Sequence, residues 1–187
     1  MHFLTEDLRP SDSPTRVLAR RCDGSLRPAG LARALARGAR ESRPANRETR
    51  YTVPVADFVF FYGTLMAGFD RRRRAGMDDK LKFVGRGWMR ASLFDLGLYP
   101  AAVPSPDGCV WGELYEMSES ATVLAALDEI EGYRAGDPDH SLYDRSQVTI
   151  TLPDASQHPA WVYFYNAPLG QAPRIESGDY LQHVRVR

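Results

Sequence analysis

The sequence predicts an α+β fold: a small closed or half-closed β-barrel over residues 53–187, preceded by an Arg-rich, low-order extension over residues 1–52. Three observations predict it. Large apolar residues are sparse before Val53 and dense after it. Beyond that point come six or so short segments of β-branched and aromatic residues, bounded by glycine or proline. Only Ser118–Ile130 has a convincing helical spacing. Strands in that number, with one or two helices, suit a small barrel.

The first 52 residues are dominated by Arg, Pro, Ser and Ala, the composition of a disordered tail. Within them Leu31–Arg37 has the spacing of a short basic helix. Residues 1–55 hold 11 arginines and no lysine against 6 acids, a net +5, while residues 56–187 hold 13 bases against 18 acids, a net −5. The zero net charge of the 187-residue chain is therefore the sum of two unlike parts. A basic tail attracts polyanions without reading sequence, but a disordered tail is the plainer reading, and nucleic acid is not expected as a partner.

From Val53 onward the elements follow in order. Phe58–Tyr62 is a continuous apolar and aromatic run ending at Gly63, which suits a buried strand feeding a tight turn. Leu81–Val84 and Trp88–Leu96 read as further strands. Pro104, Pro106 and Gly108 mark a turn before the strand Cys109–Met117. In Gln147–Leu152, Val148, Ile150 and Leu152 alternate with Gln147, Thr149 and Thr151, as a half-buried strand requires. Pro159–Asn166 follows, with Trp161, Tyr163 and Tyr165 on one face and Val162 and Phe164 on the other.

The helix gives the sharpest functional inference. At 100° per residue, Val123, Leu124, Leu127 and Ile130 form one apolar stripe roughly 120° wide. Glu131 falls inside that stripe, while Glu129 points to the opposite side. Gly132 follows at the position of a C-cap glycine. Glu131 thus lies at the negative end of the helix dipole among apolar neighbours, and both effects raise its pKa. A carboxyl group poised near neutrality can take a proton and return it. The alternative is a glutamate that reaches solvent from a frayed helix end.

Two other features bear on chemistry. In Tyr62-Gly63-Thr64-Leu65 a glycine directly after a strand permits a turn with exposed amide N–H groups, which can hold a carboxylate or an oxyanion. Of the seven tyrosines in the barrel segment beyond Tyr62 (Tyr99, Tyr115, Tyr133, Tyr143, Tyr163, Tyr165 and Tyr180), most suit the barrel wall. Tyr143, two residues before Arg145 and after a polar loop, is the one singled out as lining a site. The Arg71–Arg74 run reads as a solvated face that could draw in a negatively charged substrate.

Other chemistries find no support. His2, His140, His158 and His183 are scattered, and Asp137, Asp139 and His140 form a loose cluster without metal-ligand spacing. There is no nucleophile elbow and no phosphate-binding loop, so neither metal nor cofactor is expected. Cys22 and Cys109 form no CxxC pair, and neither a disulfide framework nor a thiolate metal site is indicated. No apolar run approaches a membrane-spanning length and no secretory leader is visible, so a cytoplasmic protein without membrane contact is the expectation. Oligomeric state is left open.

Seven motifs in order resemble the γ-glutamylcyclotransferase-like superfamily, its AIG2-like branch in particular. They are Phe60-Phe61-Tyr62-Gly63-Thr64-Leu65; Leu93–Gly97 with Tyr99-Pro100; Val110–Tyr115; Leu127–Tyr133; Tyr143–Arg145; Ala160–Tyr163; and Ser177–Tyr180. The resemblance spans about residues 57–182. It implies a small mixed β-barrel with flanking helices, and a pocket between the Tyr62–Leu65 turn and the glutamate at position 131. It also implies a reaction: the substrate's own α-amine attacks its γ-carbonyl, releasing 5-oxoproline and an amine, with Glu131 as acid/base. Tyr62, Gly63, Thr64, Leu65 and Tyr143 are the expected substrate-binding residues, and the partner a small γ-glutamyl compound. Where many relatives carry a basic residue after the turn, this chain has Met66. A non-catalytic binding or interaction module of the same fold is the competing expectation.

Overall fold

The run Phe58–Phe61 does form a strand. In the computed structural model, which describes residues 57–186, β1 is Asp57–Phe61 and leads into the tight turn that follows it. Then come α1 (Arg71–Arg74), β2 (Leu81–Met89), β3 (Ala91–Asp95), β4 (Pro100–Pro104) and β5 (Val110–Met117). The chain continues through α2 (Ser120–Glu131), β6 (Tyr143–Thr151), β7 (Gln157–Tyr165) and α3 (Tyr180–Arg185). The tail, its boundary at 52/53, the Leu31–Arg37 pattern and Cys22 lie outside the described residues. Cys109 is not a free thiol, contrary to what its isolated spacing suggests.

Five strands close into a mixed barrel in the order β1-β5-β2-β6-β7, completing the expected architecture. β5 is its spine, antiparallel to β1 through Phe60↔Leu114 and to β2 through Trp88↔Trp111. The barrel closes where β1 runs parallel to β7 at Val59↔Trp161. Val59, Val110, Leu114, Ile150, Ala160 and Val162 are fully buried, so the interior is a packed core. In β6 the alternation holds: Ile150 is buried, while Gln147 and Thr149 are exposed.

α2 keeps the phase read from the sequence. Val123 and Leu127 are fully buried in the core, Glu129 is exposed and Glu131 is half-buried. Burying each of those two apolar side chains contributes roughly 1.5–3 kcal/mol. The helix stops at Gly132, whose φ of 64° is left-handed and readily adopted by glycine. The N–H groups of Gly132 and Tyr133 both turn back to the Asp128 carbonyl. This fixes where the last helical residue, Glu131, points.

Several elements differ from expectation. The segment Trp88–Leu96 is not one strand: it breaks at Arg90, and its second half pairs with β4 as a separate hairpin, Ala91↔Pro104 to Asp95↔Pro100. β4 is not predicted by the sequence, where its last residue, Pro104, reads as part of the turn before β5; two of its residues are prolines. They stand at its two ends, where a missing N–H costs the ladder little. β6 starts at Tyr143 rather than Gln147, through the polar residues Asp144, Arg145 and Ser146, which pair across to β7. α3 follows Asp179, whose carboxylate caps the N–H groups of Leu181 and Gln182.

Candidate active site

The turn after β1 is held by contacts that its sequence dictates. Met66 N–H donates to the Gly63 carbonyl at 3.0 Å, closing the turn. A Cβ on Gly63 would lie 2.7 Å from Pro100 Cγ, so glycine is what lets the end of β4 pack directly against the turn. Among the described residues, the N–H groups of Gly63, Thr64 and Leu65 have no hydrogen-bond acceptor. Three backbone donors on one turn are thus free to meet an anion.

The tyrosines around this turn divide by role. Tyr62 is buried; its hydroxyl donates to the Tyr163 carbonyl at 2.7 Å and accepts from Ala102 N–H at 3.4 Å. It therefore fastens the turn to both β7 and β4, and burial pushes its hydroxyl pKa well up. Tyr143 donates to the Pro100 carbonyl at 3.3 Å, and burial, then the charge of Glu131, raises its pKa. Neither phenol is placed to act as a base; both are neutral walls.

Opposite the turn stands Glu131. Its carboxylate makes no hydrogen bond or ion pair with the described residues. Burial raises its pKa from the ordinary 4.5 to about 7, and the Arg71 guanidinium opposes that rise. The cleft between turn and helix end opens to solvent at its mouth. Tyr62, Gly63, Thr64, Leu65, Glu131 and Tyr143 all line it, so every residue singled out in the sequence meets there. Phe60, Phe61, Arg71, Tyr99, Pro100 and Tyr163 complete the wall.

Some of these were not singled out. Arg71 belongs to a charge run that reads as solvated, and nothing in its spacing distinguishes it from its neighbours. Tyr163 is one of many tyrosines; its hydroxyl donates to Asp128 Oδ1 at 2.6 Å. Asp128 also receives Arg145 Nη1 at 3.0 and 2.9 Å on its two oxygens. Arg145 is held between the rings of Tyr133 (4.9 Å) and Trp161 (5.1 Å). That network ties the last turn of α2 to β6 and β7. Glu113, a buried carboxylate, accepts the Ala67 N–H at 2.7 Å and the Tyr115 hydroxyl at 2.9 Å, anchoring the chain just after the turn. Its burial is not predictable from the sequence, because the hydrogen bonds that satisfy it come from distant residues.

Among the described residues, no group of three or more His, Cys, Asp or Glu side chains is placed to hold a metal ion. None of their helices is long and apolar enough to cross a membrane.

Residues 59–182 match the family model described as gamma-glutamyl cyclotransferase, AIG2-like. A Methanocaldococcus jannaschii protein, named as a candidate gamma-glutamylcyclotransferase, is 32% identical over 126 residues, which cover 66% of this chain and 95% of that protein. A gamma-glutamylcyclotransferase family protein of Escherichia coli K12 is 40% identical over 89 residues, 48% of this chain and 66% of that one. Among solved structures, an AIG2-like protein from Mus musculus superposes with a TM-score of 0.52 at 25% identity, covering 66% of this chain and 88% of that one.

Proposed function

The chain belongs to the AIG2-like gamma-glutamyl cyclotransferase family, and from that premise we propose that it cleaves a γ-glutamyl amide by intramolecular attack, releasing 5-oxoproline and an amine. One observation carries the proposal. An unpaired carboxylate with its pKa near neutrality, Glu131, shares a cleft with three free backbone donors on the Gly63–Leu65 turn.

The chemistry asks little of the protein. The neutral α-amine attacks the γ-carbonyl carbon, closing a five-membered ring, and the bond to the leaving nitrogen breaks. Both reacting groups belong to one molecule, so holding it bent supplies much of the acceleration. Glu131, ionised, takes the proton that the attacking nitrogen sheds and hands it to the departing nitrogen; no water is consumed. The free N–H groups of Gly63, Thr64 and Leu65 receive the substrate carboxylate or the oxyanion that develops on the carbonyl. Tyr62 and Tyr143 hold the walls in place. The ionised base makes the rate rise with pH through about 7, the value to which burial brings Glu131.

The test compares wild type and Glu131→Gln on a panel of γ-glutamyl amines, following 5-oxoproline by mass spectrometry. The glutamine keeps shape and hydrogen bonding but cannot cycle a proton. Wild-type turnover that falls about a hundredfold or more in the variant is the expected result. Turnover that survives the substitution removes Glu131 from the mechanism. No turnover on any amine would favour a binding module built on the same barrel.

A further inference from the structure

Four consecutive arginines make up α1, and they do not behave alike. Arg72 pairs with Asp78, and Arg73 and Arg74 share Asp70 at 2.8 and 3.7 Å. Arg71 pairs with no carboxylate among the described residues. Its Nη1 reaches the Thr64 hydroxyl at 3.4 Å, a long contact within the cleft-lining turn. Among the described residues, Arg71 and Glu131 are the only ionisable carboxylate or cationic side chains lining the cleft. The rest of the wall is aromatic, apolar or hydroxyl-bearing.

A cleft with one cation and one anion on different walls suits a zwitterion in one orientation only. An α-amino acid head carries its amine and carboxylate on a single carbon. Placing the amine at Glu131 leaves the carboxylate to find the cation; the reverse places two carboxylates together, which is repulsive. Arginine offers a planar fork matched to a carboxylate's two oxygens.

We infer that Arg71 is the specificity-determining residue that binds the substrate's α-carboxylate, leaving the free N–H groups of the Gly63–Leu65 turn to the γ-carbonyl oxygen. The inference rests on the cyclotransferase reading and divides the labour that reading leaves undivided. The enzyme then takes γ-glutamyl compounds with a free α-carboxylate and discriminates against those in which it is amidated. The opposition of Arg71 to the pKa rise of Glu131 fits a cation facing that carboxylate across the cleft.

The experiment uses two probes that need no turnover: 5-oxoproline and its carboxamide. Their binding to the full chain is measured by titration calorimetry for wild type, Arg71→Gln, Arg71→Lys and Arg73→Gln. Wild type should prefer the acid by about 10- to 100-fold, as loss of a charge-assisted carboxylate contact predicts. Arg71→Gln should bind both probes alike, Arg71→Lys should keep part of the preference, and Arg73→Gln should match wild type. A preference that persists in Arg71→Gln overturns the inference, as does wild type binding both probes equally or neither. The two readings fail separately. An Arg71-dependent preference in a protein that turns nothing over sinks the reaction and keeps the carboxylate site. Turnover with an unchanged KM in Arg71→Gln sinks the site and keeps the reaction.

Discussion

Two carboxylates one turn apart on α2 meet opposite fates. Asp128 has Arg145 on both its oxygens, the Tyr163 hydroxyl on one of them, and aromatic rings on either side of its partner. Glu131, three residues on, faces a cleft with nothing bonded to it and a single arginine, Arg71, acting on it from a distance. The first is a completed structural joint. The second retains a desolvated charge that the fold could have neutralised or turned outward, as it does with Glu129. An uncompensated carboxylate lowers stability, so its presence beside a completed joint fits a position kept open for a ligand.

Breaking the joint gives the largest effect expected on stability. Arg145→Ala leaves Asp128 with only the tyrosine hydroxyl and removes the cation from between Tyr133 and Trp161. The side chains of Arg145 and Asp128 retain 20% and 26% of their exposure, which places the pair between the surface and buried extremes. A loss of about 2–3 kcal/mol is expected from denaturant unfolding. Because the joint holds the turn that ends in Glu131, kcat should fall as well. Arg145→Lys keeps the charge but not the flat stacking between the rings, and should recover only part of either. Unchanged unfolding in Arg145→Ala would mean that α2 is held by its apolar face, Val123 and Leu127 with Leu124 and Ile130, rather than by the joint.

How much of this contrast was legible beforehand differs for its two halves. Glu131 stood out because helical periodicity is local: counting 100° steps from Leu127 sets its face without knowing what it faces. Gly63 stood out because a glycine after an apolar strand is a local signal too. The Asp128–Arg145 joint depends on a pairing 17 residues apart, and Arg145 lies in a stretch whose polar residues hid the first half of β6. The last residue of β4, Pro104, reads as part of a turn, and the strand tolerates its prolines because they stand at its ends. Arg71 was hidden by its neighbours: four arginines in a row look alike until Asp70 and Asp78 claim three of them.

The open carboxylate makes the next prediction, on stability against pH. Its pKa is raised on folding, from 4.5 to about 7, so the native state holds a proton that the unfolded chain has lost between those values. Below that window both states are protonated and the group contributes nothing. As pH rises through the window the native state loses stability, and above about 7 the loss levels off. Its size should be about 2 kcal/mol, less than the full shift implies, because the cleft mouth admits water. Glu131→Gln removes the charge, so the variant should gain on wild type as pH goes from 4.5 to 7 and stay ahead above it. Parallel stability curves for the two proteins would show that Glu131 is solvated and ordinary.

The smallest effect probes the one influence that still restrains the open carboxylate. Arg71 favours the ionised form of Glu131, against burial, which is the larger of the two. Replacing it with glutamine takes away that support, so the Glu131 pKa should rise further and the acid limb of the rate profile should move to higher pH. At high pH the limb is passed, and only the weakened binding of the carboxylate should remain, seen in KM. Added salt should shift the wild-type limb the same way, because it screens the Arg71–Glu131 interaction across a solvent-open cleft, and should leave the limb of Arg71→Gln nearly still. That crossed comparison separates a charge acting through space from an arginine that merely shapes the wall. If Arg71 only shaped it, both proteins would respond to salt alike.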